Sequence, residues 1–191
     1  ITLPQDEENI ATCNLISINL SAFLDDNKQW DWARLETAVH SATRQLDNLL
    51  DITSTPIPEA LNFNELNRAL GIGFMGFTEV LERLEYSYES EEAYDLVDEI
   101  TEFISYHAID ESAQLAKERG SYPNYKGSGW SRGELPIDTI DILEKDRKTP
   151  VKVSDKKRLD WEALRKKTSK GMRNSTLMAI APTANISHIA G

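Results

Sequence analysis

The stretch from about Ser90 to Arg119 constrains this chain more than any other. Tyr94, Val97, Ile100, Ile104, His107, Ala108 and Leu115 recur at steps that place them near one face of a long helix. Ser90 stands where an N-cap belongs, Gly120 where the chain leaves the helix, and Pro123 lies just beyond. A second stripe runs through Trp32, Leu35, Val39, Ala42, Leu46 and Leu49, which predicts a helix from Asp31 to about Leu50. Thr55-Pro56-Ile57-Pro58 ends it, because a proline and the residue before it both resist helix.

Shorter elements surround these two. Leu15 to Leu20 alternates apolar and small polar residues, as a short strand does, and Asp25-Asp26-Asn27 makes a turn. Arg68 to Phe77 is apolar with three glycines and reads as a buried strand or close-packed turn, followed by a helix from about Thr78 to Leu84. Residues 120 to 158 read as a loop-rich basic insertion, and Asp160 to about Lys170 as a helix stopped by Gly171. Ser175 to Ala181 reads as a buried strand handing over directly to a helix through Pro182-Thr183-Ala184-Asn185-Ile186-Ser187. The expected class is helix-rich α/β, with residues 1–191 forming one segment.

Composition excludes several classes. With 40% hydrophobic and 28% charged residues in 191, the chain is neither disordered nor fibrous. No apolar run approaches the roughly 18 residues that span a bilayer, so no membrane partner is expected. Ile1-Thr2-Leu3-Pro4-Gln5-Asp6-Glu7-Glu8 has neither the basic nor the apolar region of a signal peptide, and lacks an initiator Met. A single cysteine, Cys13, excludes an internal disulfide and a cysteine-based zinc site, and fits a reducing cytoplasm. His40, His107 and His188 are far apart in no ligand-spaced cluster, so no metal site is expected. Net charge is −11, yet residues 142 to 173 hold twelve Lys/Arg against five acids, a local +7 that leaves −18 elsewhere. A run of this kind is a solvated face or a nucleic-acid surface. It lacks the interleaved aromatics on which bases stack, so no nucleic-acid partner is expected.

Three features bear on chemistry. A strand that passes into a helix leaves backbone N–H groups unpaired at the helix start, where the dipole also favours an anion. Thr183, Asn185 and Ser187 add side-chain donors, although the same pattern also makes an ordinary capped helix. The run Gly71-Ile72-Gly73-Phe74-Met75-Gly76 matches the spacing of a dinucleotide fingerprint, but its apolar neighbours and the lack of a later strand ending in an acid favour packing. Cys13 reads either as a reactive thiol or, as is usual for a lone cysteine beside a strand, as a small buried apolar side chain. The acids of the long helices read as a solvated face.

Three segments, in this order, resemble the large catalytic subunit of ribonucleotide reductases. They are Cys13-Asn14-Leu15-Ile16-Ser17-Ile18-Asn19-Leu20, Arg68-Ala69-Leu70-Gly71-Ile72-Gly73-Phe74-Met75-Gly76-Phe77, and Met172 through Ser187. Gln114 to Gly120 and Leu135 to Thr139 also look like family positions. The resemblance implies part of the second half of a ten-stranded α/β barrel. It implies reduction of ribonucleotides to deoxyribonucleotides by a route in which a thiyl radical removes the ribose 3′ hydrogen and two further cysteines supply electrons and become a disulfide. Carried over, Cys13 matches one of that reducing pair. Pro182, Thr183, Ala184, Asn185, Ile186 and Ser187 match the loop that binds the substrate's phosphates.

The same resemblance places the partner cysteine upstream of this segment. It also places the Asn-Leu-Cys-x-Glu motif of the thiyl cysteine immediately before Ile1, and a tyrosine pair and C-terminal redox cysteines beyond Gly191. The segment is therefore expected to be inactive alone, with its site completed by the remaining segments of the large subunit. Class I is favoured, which implies ribonucleoside diphosphate substrates, a metal-containing small subunit as radical source, and thioredoxin or glutaredoxin as reductant. The class II form, which uses adenosylcobalamin, shares these motifs. No cofactor is expected on this segment itself. The competing expectation is a non-catalytic helical protein-interaction module, supported by the amphipathic helices.

Overall fold

Two helices carry the core. The computed structural model describes residue 3, residues 5–154 and residues 156–190, so the reading of Ile1, Thr2 and Pro4, and one acid of the basic stretch, Asp155, lie outside the described residues. Helix α1 (Trp32–Ile52) begins where Asp31 accepts a hydrogen bond from the Arg34 amide. It ends before the prolines, at Thr53, whose backbone is extended. The second of the pair, α4 (Glu91–Arg119), begins at Ser90, which accepts from the Ala93 amide, and ends at Gly120 with φ +86°. At 29 residues α4 is about 44 Å long. Leu35, Val39, Leu46 and Leu50 of α1 share one buried cluster with Leu96, Ile100, Ile104 and Ala108 of α4. Tyr94, expected on the buried face, is 52% exposed. The stripe at that end runs through Ala93, Leu96 and Ile100, and Tyr94 stands one residue, about 100°, away from it.

Strands β1 (Leu15–Asn19) and β2 (Gly71–Met75) pair in parallel, from Leu15 opposite Gly71 to Asn19 opposite Met75. Leu20, read as the end of β1, instead opens a 3-10 turn over Leu20–Phe23. Ile16, Ile18, Ile72 and Phe74 face the helices, which leaves Leu15, Ser17, Gly71 and Gly73 to the opposite face of the sheet. The segment read as a buried strand over Ser175–Ala181 is only partly one. Its backbone runs beside β2, with Leu70 donating to the Thr176 carbonyl, Ile72 to the Leu177 carbonyl, and Ala179 to the Ile72 carbonyl. It then leaves the ladder, and Ile180 is 59% exposed.

Helix α2 (Pro58–Asn67) was not legible in the sequence, because its apolar residues follow no clean helical period. Pro58 occupies its first turn, where a missing N–H costs nothing, and Ala60, Phe63 and Asn64 are buried beneath it. Helix α3 (Phe77–Leu84) follows β2 as expected. The stretch read as loop contains α5 (Thr139–Arg147) as well as three 3-10 turns. Helix α6 (Trp161–Thr168) is capped by Asp160, and α7 (Ala184–Ala190) closes the described chain. No helix among the described residues is long and apolar enough to cross a membrane.

The charge asymmetry is spent within the molecule. Lys156 pairs with Asp95 at 2.6 Å, Arg158 with Asp98 at 2.9 Å and Glu102 at 2.8 Å, and Lys167 with Asp110 at 2.5 Å. The acids read as a solvated face of α4 are thus a docking surface for the basic strap. Burial acts to raise the pKa of Glu102, but hydrogen bonds from the Trp161 indole and Arg158 outweigh it and hold the carboxyl below the usual range.

Asp47 of α1 is fully buried and gathers three other segments. Arg68 donates from Nε to its carboxylate at 2.9 Å and from Nη2 to its carbonyl at 2.8 Å. Arg119 reaches the other oxygen at 3.0 Å and Arg173 at 3.3 Å, while Asn174 donates to the first at 3.1 Å. Arg68 itself is a left-handed residue, φ 45° and ψ 49°, that ends α2. That conformation costs about 1–3 kcal/mol, and the bidentate fork on Asp47 and Asp51 holds it there. Burial acts against its charge, and the two carboxylates raise its pKa in spite of that.

Removing this carboxylate strands three arginines, one of them buried. Asp47→Ala should therefore lower unfolding free energy by about 3–5 kcal/mol in urea titrations. A loss below about 1 kcal/mol would mean that the arginines find water instead.

Candidate functional site

The face of the sheet turned away from the α1–α4 core is where the predicted site residues meet. Cys13 lies two residues before β1, and its neighbours on both sides are tied to α2. Thr12 donates to Asn64 Oδ1 at 2.7 Å, and the Asn14 amide donates to the same oxygen at 3.4 Å and to the Ala69 carbonyl at 3.2 Å. The Gly71 amide donates to the Asn14 carbonyl at 2.9 Å. These bonds fix the backbone on which the thiol is mounted. Cys13 is exposed, which corrects its reading as a small buried apolar side chain. It opens on a cleft of about 150 Å³ whose walls include Leu15, Gly71, Thr176 and Ala179.

Two glycines let the chain cross this face. A Cβ on Gly71 would stand 2.5 Å from Leu15 Cδ2 and 2.8 Å from Ala179 Cβ. A Cβ on Gly73 would stand 2.4 Å from the Ala179 carbonyl oxygen and 3.1 Å from Ile180 Cα. The backbone of 179–180 therefore lies on the surface of β2 itself, at a distance that only glycine allows. Here is the physical reason that the third extended run abandons the ladder: it turns over the glycines toward β1. Gly76 has a different task, turning β2 into α3 with φ +75°. All three glycines of the fingerprint-like run are accounted for by backbone packing.

Having crossed β2, the chain reaches Leu15. Ala181 to Ile186 and Leu15, Ile16 and Ser17 of β1 line a cleft of about 280 Å³. Thr183 is left-handed at φ 51° and its carbonyl accepts the first helical hydrogen bond of α7, from the Ser187 amide at 3.0 Å. The first amides of a helix have no partner within it, which leaves those of Ala184, Asn185 and Ile186 as donors at the cleft. The Ser187 hydroxyl turns back to donate to the Ala184 carbonyl at 2.8 Å, so it is not aimed at the cleft. None of the nine lining residues is charged, so an anion here would be held by amide dipoles rather than by a cation.

Leu15 belongs to both clefts, so Cys13 and 182–187, more than 160 positions apart, open on either side of one side chain. Sequence reasoning did not find Asn64, which anchors both neighbours of Cys13; with α2 unrecognised, no local signal marked it. A second departure concerns the histidines. His40 Nε2 and His107 Nδ1 lie 3.2 Å apart across the α1–α4 contact, so these two do form a cluster. The signal available was the pairing of Glu36 with His40 and of His107 with Glu111, each four residues apart on a helix.

Comparison with known proteins agrees with this architecture. The family model described as "Ribonucleotide reductase, barrel domain" matches residues 1–191. The "Ribonucleoside-diphosphate reductase subunit alpha" of Chlamydia pneumoniae is 47% identical over 193 residues, covering 100% of this chain and 18% of that protein. The Helicobacter pylori (strain ATCC 700392 / 26695) protein of the same description is 41% identical over 186 residues, covering 95% of the chain and 22% of its own length. The "Ribonucleoside-diphosphate reductase large subunit" of Caenorhabditis elegans is 36% identical over 185 residues, 96% of the chain and 22% of that protein. The chain thus spans about a fifth of the length of these curated relatives.

The glycine crossing makes a graded prediction. Gly73→Ala meets backbone and should cost about 1–3 kcal/mol in thermal or urea unfolding. Gly71→Ala meets the end of the Leu15 side chain, which can rotate, and Ala179 Cβ, but no backbone atom closer than 3.8 Å, and should cost less. Equal costs would show that the 179–180 segment moves freely on β2.

Proposed function

The chain belongs to the ribonucleotide reductase barrel-domain family, and on that premise we propose that it supplies one reducing cysteine and the substrate phosphate loop to a ribonucleoside-diphosphate reductase. Its helix-rich α/β fold is part of that family's barrel. The observation that carries the proposal is the convergence of Cys13 and 182–187 around Leu15, on the sheet face turned away from the α1–α4 core. A barrel keeps its helices outside and its chemistry within, and this face has small residues and open clefts, with only the start of α7 against it among the described residues.

In this reading the diphosphate sits against Pro182-Thr183-Ala184-Asn185-Ile186-Ser187, bound by the first-turn amides of α7 and the positive end of that helix. The ribose then points along the sheet toward Cys13. The Cys13 thiol gives up an electron and a proton, as does a second cysteine contributed by another segment, and the two sulfurs join as a disulfide; those two electrons and two protons replace one ribose hydroxyl by hydrogen, its C–O bond breaking and its oxygen leaving as water. An exposed thiol on a pinned backbone suits this role, because the disulfide must be reached by an external reductant before the next cycle. A thioredoxin- or glutaredoxin-like dithiol is the proposed reductant, and the cytoplasm, where thiols persist, the proposed setting. The radical would come from a partner: a metal-containing small subunit, as the relatives' diphosphate-reductase names favour, or adenosylcobalamin. Ordinary strand pairing supports a barrel context too, since among the described residues β1 is hydrogen-bonded to β2 alone and its other edge is free for a neighbour. Nothing in the relatives supports the non-catalytic interaction module.

Two substitutions in the full-length protein test the two halves of this site. Cys13→Ser should abolish multiple turnover while substrate affinity stays within about twofold; retained steady-state turnover would remove the redox role. Asn185→Asp keeps a good helix-start residue but adds a negative charge beside the phosphates. It should weaken nucleoside diphosphate binding about tenfold or more in equilibrium titrations. Unchanged affinity would place the phosphates elsewhere.

A further inference from the structure

We propose that Glu36, His40 and His107 form a binding site for a divalent transition-metal ion of zinc-like preference, bridging α1 and α4. Glu36 and His40 are four residues apart and so share one face of α1, against which α4 places His107. His40 Nε2 is 3.2 Å from His107 Nδ1, and that same Nδ1 is 3.6 Å from Glu36 Oε1. One ligand atom from each of the three lies within 4.8 Å of the other two. A tetrahedral ion with bonds of about 2.0–2.1 Å holds its ligand atoms about 3.3–3.4 Å apart. The two spacings to His107 Nδ1 fall on either side of that value, and the spacing of Glu36 from His40, within 4.8 Å, is closed by rotation of the exposed Glu36 side chain.

The surroundings orient these ligands. Glu111 has a side chain only 7% exposed; Oε2 lies 3.5 Å from His40 Nδ1, while Oε1 is held by Arg44 at 2.6 Å. A carboxylate behind one imidazole nitrogen turns the other outward, the arrangement that supports metal-bound histidines. The His107 ring is packed by Phe103, with centroids 4.4 Å apart, and by Tyr106 at 5.3 Å. Burial draws the His107 pKa below its ordinary value, with the His40 charge adding to this and Glu36 and Asp110 opposing it. A neutral ring is the ligand form.

Two imidazoles and one carboxylate leave a fourth position for water, and the exposed sides of Glu36 and His40, 48% and 30%, give an ion a way in. The three ligands line neither cleft of the proposed reductase site, so the inference stands independently of that reading. The bound ion would clamp the two helices that carry the core.

Co²⁺ is the probe, because its visible d–d bands report tetrahedral coordination. Metal-stripped full-length protein should bind it with these bands, lose them on adding Zn²⁺, and melt at a higher temperature with Zn²⁺ present. Glu36→Gln, at an exposed position that leaves the fold intact, should weaken Co²⁺ binding about tenfold or more. The His40→Ala/His107→Ala double variant should lose the bands and the thermal shift. The proposal is overturned if the wild type shows no such bands, or if Glu36→Gln and the double variant bind Co²⁺ as the wild type does. Should the double variant fail to fold, the Glu36→Gln affinity decides alone.

Discussion

Asp47 is the residue on which the rest of the arrangement depends. One buried carboxylate accepts from Arg68, Arg119, Arg173 and Asn174, which end α2, end α4 and precede the 175–181 run. Asn174, itself fully buried, donates also to the Arg68 carbonyl at 3.1 Å and accepts from the Ser112 hydroxyl at 2.9 Å. The entries to β2 and to its partly paired neighbour are thereby pinned to the same point on α1. Such a network is costly to bury and intolerant of partial loss, but while it is complete it allows a single register.

From that register the two faces of the sheet acquire different work. Ile16, Ile18, Ile72 and Phe74 close the core against the helices, which is where burial of apolar surface stabilises the fold. Gly71 and Gly73 leave the other face bare, and 179–180 lies across it in their place. A side chain at Gly73 would meet the backbone of 179–180 and push the crossing segment off β2. Close backbone approach, rather than any one catalytic side chain, is what places 182–187 near Cys13.

Much of this was legible locally. The cap at Ser90 and the stop at Gly120 stand where the residues placed them, and Asp31 and Asp160, read as the first residues of helices, are their caps; all four are short-range hydrogen-bond and dihedral effects. The helix over Pro58–Asn67 was not, because its burial comes from contacts with other segments and not from an amphipathic period of its own. The acid-rich face of α4 looked solvated for the same reason: its basic partners at 156–167 lie about 60 residues downstream.

The sequence by itself determined the helical and extended segments, the glycine positions and the order of motifs by which the family is identifiable. Those properties follow from dihedral preference, capping and periodicity, which act over a few residues. Tertiary structure alone decided that Cys13 is exposed rather than buried, that Asn64 holds its backbone, and that His40 and His107 touch. Each of those depends on which surfaces the helices and strands bury against one another, and such a choice is made only when segments dozens of residues apart compete for the same core.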